Sequence, residues 1–117
     1  MKTVLIVDDS NVMRRIMKNV LDANGFLVIG EAKNGRIGVA KYKELNPDFV
    51  TMDVTMDEMN GIEALRQIKI YDSKAKVIMV SSMGQDVIVR EAIMLGAKGF
   101  ILKPFNERQI LNAFSKI

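Results

Sequence analysis

Four of the five short apolar runs in this sequence end at side chains that can carry chemistry. Asp8 and Asp9 follow residues 3–7, Asp53 follows 49–52, Ser81 and Ser82 follow 77–80, and Lys103 follows 100–102. With 0 His and 0 Cys, imidazole triads, thiolate nucleophiles and thiolate or imidazole zinc sites are excluded. What remains is carboxylates, hydroxyls, amines and backbone. Two full charges about 4 Å apart repel by about 1 kcal/mol in water and about 4 kcal/mol at an effective dielectric constant of about 20, so three acids brought together need a compensating cation. Lys103 is one candidate. Oxygen-only ligands at a partly open edge also suit a hard cation that keeps several waters, and Mg²⁺ fits that description best. An aspartate beside such an ion and an ammonium is suited to phosphoryl chemistry, because the two cations neutralise the oxygens of the group in transit.

These residues converge only if the chain folds to bring the ends of its apolar runs to one place. The runs at 3–7, 26–30, 49–52, 77–80 and 100–102 read as strands, and longer helical patterns lie between and after them. In the first helix Val12, Met13, Ile16, Met17, Val20 and Leu21 form an apolar stripe, with Arg14, Arg15, Lys18 and Asn19 off it. Asn24-Gly25 ends that helix; a second runs over 35–45 and closes at Asn46-Pro47; a third follows Asn60-Gly61; a fourth ends at Gly96. The last spans 107–117, with Asn106 and Gln109 spaced for a capping box. Strands alternating with amphipathic helices, and too uniformly apolar to have a wet face, predict an α/β protein: a doubly wound parallel sheet with helices on both faces. Right-handed crossovers then set the carboxyl ends of the strands on one edge, where ligands of such sheets bind.

At 117 residues the chain reads as one domain, 1–117. Its 17 Lys+Arg and 14 Asp+Glu are interspersed, and no helix carries the basic stripe that tracks phosphates, so nucleic acid is not an expected partner. No apolar run approaches the roughly 18 to 20 residues that span a bilayer, and the start does not read as a cleavable signal, so a cytoplasmic protein without membrane association is expected.

The motifs Val4-Leu5-Ile6-Val7-Asp8-Asp9, Met52-Asp53-Val54-Thr55-Met56 with Met59-Asn60-Gly61, Val80-Ser81-Ser82, and Gly96-Ala97-Lys98-Gly99-Phe100 running into Lys103-Pro104-Phe105 occur in order. Together they resemble the receiver domain of two-component response regulators, in particular the single-domain chemotaxis type, across essentially the whole chain. The resemblance implies five strands in the flavodoxin-like order 2-1-3-4-5 and no output domain. It also implies that Asp53 accepts a phosphoryl group from a histidine kinase, that Asp9 and Asp53 ligate Mg²⁺ directly, that Asp8 acts largely through water, and that the Thr55 carbonyl is a further ligand. Lys103, joined to Pro104 by a cis bond, would pair with the phosphoryl oxygens. Ser81 would donate its hydroxyl, and Phe100 would follow it from an exposed to a buried position. Val89 and Ile93, an apolar pair displaced from the stripe of Ile88, Ala92 and Leu95, would join Phe100 in the face that binds an output protein such as a motor component or adaptor. A phosphatase also belongs among the implied partners. The resemblance implies a signalling protein that promotes its own phosphotransfer, not a classical enzyme.

One departure stands out: Asp57, followed by Glu58, where the family usually has Pro, so a stiff turn becomes an acidic one. Thr55 and Met83 hold positions that tune access of hydrolytic water in relatives. Structural readings stand beside these: Asp8, Asp9 and Ser10 can simply open a helix, and Lys103 can be only a salt-bridge partner. The fourth helix can likewise be packed on two sides. The alternative function is a phosphorylation-independent interaction module with a receiver fold. A dehalogenase-like phosphatase is disfavoured by Thr55 where a second acid is wanted, and a flavodoxin by two acids where a phosphate loop belongs.

Overall fold

The computed structural model describes residues 1–56, 58–82 and 86–117; the expectations for Asp57 and Met83 fall outside the described residues. Ten elements alternate: β1 (Lys2–Val7), α1 (Asn11–Ala23), β2 (Phe26–Ala32), α2 (Gly35–Leu45), β3 (Phe49–Asp53), α3 (Gly61–Tyr71), β4 (Val77–Ser81), α4 (Asp86–Met94), β5 (Gly99–Leu102) and α5 (Glu107–Ser115). The five strands form one parallel sheet in the order β2-β1-β3-β4-β5. Strand neighbours alternate between its two faces. Val4, Ile6, Phe49, Ile78 and Val80 pack with Met17 and Leu21 of α1 and Ile110 and Phe114 of α5. Leu5, Val7, Val50, Met52, Val77 and Met79 pack with α2, α3 and α4 through Val39, Tyr42, Leu65, Ile68 and Ala92. Both faces of the central strands are thereby covered, which is why those strands are apolar throughout.

The edge strands are less covered than their composition predicts. β2 and β5 are mostly half-buried, because each has a neighbour on one side only. Helix α1 differs from its predicted stripe as well: Met17 and Leu21 sit on the sheet, whereas Val12 is 65% exposed and Ile16 lies outward. Six apolar positions make a stripe wider than one sheet face can cover. Arg14, off the stripe by periodicity, is instead largely buried along its side chain.

Local chemistry accounts for the helix ends. The side chains of Ser10, Asn34, Asn60 and Asn106 each cap a helix by accepting an amide from the first turn, and Asn106 and Gln109 form the expected reciprocal pair at 2.9 Å. Asn46 closes α2 in the left-handed conformation, and Gly25 follows α1 at φ +86°. Helix α5 stops at Ser115, two residues short of the predicted end.

Gly61 has a different reason to be glycine. A Cβ built there would fall on the carbonyl of Asp53, closer than non-bonded atoms can approach. The same residue donates its amide to the Val54 carbonyl at 2.8 Å, drawing the start of α3 over the end of β3. Gly61→Ala is expected to destabilise the chain by about 2–3 kcal/mol through overpacking against main-chain atoms. Urea unfolding measures this, and a change within experimental error would contradict the close approach.

Candidate functional site

The site is built at the carboxyl ends of β1, β3 and β5. Asp8 follows β1 directly, its amide donating to Ala32 of β2 at 3.0 Å and its Oδ1 accepting the Ser10 amide at 2.9 Å. Those bonds turn the chain so that Ser10 caps α1, while Asp8 Oδ2 stays aimed at the sheet edge. The capping role weighed for this segment therefore belongs to Ser10. Asp9 is exposed beside it. Asp53 is the last residue of β3, paired with Val80 of β4, and only 4% exposed. Past it, the Val54 amide reaches the Val80 carbonyl at 2.9 Å, so pairing with β4 continues beyond Asp53.

One carboxylate oxygen from each of Asp8, Asp9 and Asp53 lies within 4.8 Å of the other two. Lys103 closes the group: its Nζ is 3.0 Å from Asp8 Oδ2 and 3.5 Å from Asp53 Oδ1. Its backbone amide donates a hydrogen bond to the Ser81 carbonyl at 2.8 Å, and it is joined to Pro104 by a cis peptide. The amine thus sits between two acids and lies nearer Asp8.

Burial is the largest cause that pushes the Asp53 carboxyl up from 3.8 to about 6, and the Asp8 charge is the next. Lys103 opposes both, Asp9 adds a smaller upward push, and the Thr55 amide bonded to the carboxylate a smaller downward one. An acid in this state is underprovided with positive charge. Its oxygen donors and their spacing fit a hard divalent cation, the ligand class that carboxylates and main-chain carbonyls hold.

The remaining expected residues lie around this group. Thr55 turns its side chain to solvent and its amide to Asp53. Ser81 ends β4 fully buried, on the strand between β3 and β5. Phe100, in β5, is half-buried and packs against the core beneath α2, α3 and α4. Val89 and Ile93 belong to α4; Val89 is half-buried and Ile93 is 60% exposed. Val87 and Met94 are more exposed still, and periodicity did not single them out.

Periodicity also missed Arg14. Its Nη1 donates to the Asp8 carbonyl at 2.6 Å, its Nε pairs with Glu31 Oε1 at 3.1 Å, and Nη2 donates to Asn11. No local spacing signals this, because Glu31 is on β2, 17 residues away.

A family model described as the response regulator receiver domain matches residues 4–115. The chain is 53% identical over 116 residues to the chemotaxis protein CheY of Thermotoga maritima, covering 99% of this chain and 97% of the relative. It is 53% identical over 113 residues to the chemotaxis protein CheY of Bacillus subtilis, covering 97% and 94%. Among solved structures it is similar to a chain of the CheX-CheY-BeF3-Mg complex from Borrelia burgdorferi, with a TM-score of 0.94, 38% identity, and coverage of 97% of this chain and 86% of that one.

The raised Asp53 value has a consequence for stability. Between about pH 4 and about pH 6 the folded chain keeps a proton that the unfolded chain has released, so stability falls as pH rises through that window. Above it, the ionised group costs up to about 3 kcal/mol. In chelator-treated protein, Asp53→Asn is therefore expected to raise the unfolding free energy by up to about that amount at about pH 7.5, and by much less at about pH 4. Equal effects at both values would show that Asp53 is not strained by its neighbours.

Proposed function

The chain belongs to the response regulator receiver domain family and is of the CheY chemotaxis type, and on that premise we propose that it is a switch driven by phosphorylation of Asp53. The observation that carries this reading is the buried Asp53 carboxylate ending β3, with the Lys103 amine within 3.5 Å of it and Asp8 and Asp9 alongside.

In this reading Asp9 and Asp53 hold Mg²⁺ directly, Asp8 acts largely through water, and the Thr55 carbonyl contributes a further oxygen. The bound magnesium would neutralise charge on the phosphoryl oxygens. A value of about 6 leaves Asp53 largely ionised at neutral pH, so its oxygen is available as nucleophile. That oxygen attacks the phosphorus of a kinase phosphohistidine; the new O–P bond forms as the P–N bond breaks, and the electron pair leaves with the imidazole. Lys103, freed from part of its pairing with the acids, takes up the phosphoryl oxygens. Ser81 donates its hydroxyl to the same group, and Phe100 moves further into the core behind it.

Phe100, Val89 and Ile93 then form the face read by a separate output protein such as a motor component or adaptor. Exposed apolar side chains on α4 support that assignment. A CheX-like protein belongs among the partners, as does a phosphatase. The proposed switch acts in the cytoplasm. Among the described residues, no helix is long and apolar enough to cross a membrane.

Incubation with Mg²⁺ and a small acyl phosphate is expected to add the mass of one phosphoryl group, lost in Asp53→Asn or after chelation. Intact-mass spectrometry measures it, and an unmodified wild-type chain would favour a phosphorylation-independent interaction module. Lys103→Ala is expected to remain modifiable yet lose the coupling between modification and partner binding; a pull-down with full coupling in that variant would remove Lys103 from the switch.

A further inference from the structure

The stretch between β3 and α3 follows the phosphoacceptor candidate and carries the backbone of Thr55. It is closed at its base by the Gly61 amide on the Val54 carbonyl, and Met56 and Met59 pack into the core on the α2–α4 side of the sheet. Glu58 and Met59 there take positive φ, 48° and 76°, a conformation that costs side-chain-bearing residues of order 1–3 kcal/mol and persists only where the surroundings hold it.

The surroundings are the start of α2. Glu58 Oε2 accepts from Asn34 Nδ2 at 3.2 Å and lies 3.4 Å from Arg36 Nη2. Asn34 is almost fully buried, and its Oδ1 accepts the Ile37 amide at 2.8 Å, so one side chain caps α2 and grips the loop. Between them Gly35 abuts the Met59 carbonyl so tightly that a Cβ there would overlap it. Glu58, Asn34, Arg36, Lys33 and Asp9 line one cavity of about 400 Å³, which joins this contact to the acid cluster.

We propose that Glu58 is a positioning residue, whose clasp on Asn34 and Arg36 sets the β3–α3 turn at the geometry the acid site needs for its cation. Resting on the metal reading above, this gives Glu58, one residue past the position where the family usually has Pro, a part in shaping the site. The Arg36 pair is exposed on both sides and adds little. The buried Asn34 amide and the Gly35 contact carry the clasp.

Charge and geometry make opposite predictions for one substitution. Asn34→Asp keeps a side chain that caps α2 as well as asparagine does, adds negative charge beside the acids, and cannot donate to Glu58. If only charge matters, Mg²⁺ binds more tightly. If the clasp matters, Mg²⁺ binds about three- to tenfold more weakly, less than the roughly 10–100-fold seen where a partner bonds a ligand directly. Adding Glu58→Gln to Asn34→Asp restores the bond with donor and acceptor exchanged and leaves net charge as in wild type, so affinity is expected to return.

Calorimetric titration of the full chain with Mg²⁺ measures this, alongside amide hydrogen exchange of residues 58–61 in metal-free protein. Faster exchange in Asn34→Asp, reversed in the double variant, supports the clasp; unchanged exchange, or tighter Mg²⁺ binding by the single variant, overturns it. Should Asn34→Asp fail to fold, Glu58→Ala, at a solvent-exposed position that leaves the α2 cap intact, supplies the metal-free hydrogen-exchange readout: faster exchange at residues 58–61 supports the clasp and unchanged exchange overturns it. A wild-type chain that binds no Mg²⁺ overturns the metal reading instead, and metal-free exchange then decides the clasp alone.

Discussion

Three carboxylates at one rim of a sheet repel one another, and the structure around them contains that repulsion. Lys103 is the immediate counterweight, 3.0 Å from Asp8 and 3.5 Å from Asp53, yet one positive charge among three negative ones leaves a deficit. The deficit appears in the raised carboxyl of Asp53, for which burial and Asp8 together outweigh the lysine. A site in this condition is biased toward taking up positive charge, and a domain that carries it accepts a loss of stability in exchange for that bias.

Main-chain bonds do most of the holding. The Asp8 amide is tied to β2, Lys103 to β4, and the segment after Asp53 to β4 and to the start of α3. Asp8, Asp53 and Lys103 are therefore each carried by a backbone anchored to a neighbouring strand. That arrangement lets a buried acid keep its place while electrostatics push it away. Arg14 extends the support by gripping the Asp8 carbonyl from α1 and Glu31 on β2, so the acid loop is braced from the helix side as well.

Much of this could be read before any coordinates. Alternating apolar runs and amphipathic segments reveal the strand-helix repeat, because a doubly covered parallel sheet needs uniformly apolar strands. Asp53 after a run as apolar as Phe49 to Met52 stands out, since an acid at the end of a buried strand needs a reason. The order of the strands was legible only through family resemblance. What stayed hidden depends on which residues meet across the fold. The exposure of Val12 reflects how much of α1 the sheet can cover, and the pairing of Arg14 with Glu31 joins separate elements. The hold of Asn34 on Glu58 spans 24 residues and two loops. The shift of Asp53 follows from distances, which sequence spacing does not contain.

The half-covered border at β5 bears on how this chain behaves in a crowded solution. An open strand edge offers its unpaired main-chain groups to any extended peptide, including another copy of the same protein. Here that edge is four residues long, begins at a glycine, and gives way at once to Lys103 and a proline that has no amide to donate. The brevity that brings the lysine so soon to the acid rim therefore also denies intruding strands a template for intermolecular sheet growth.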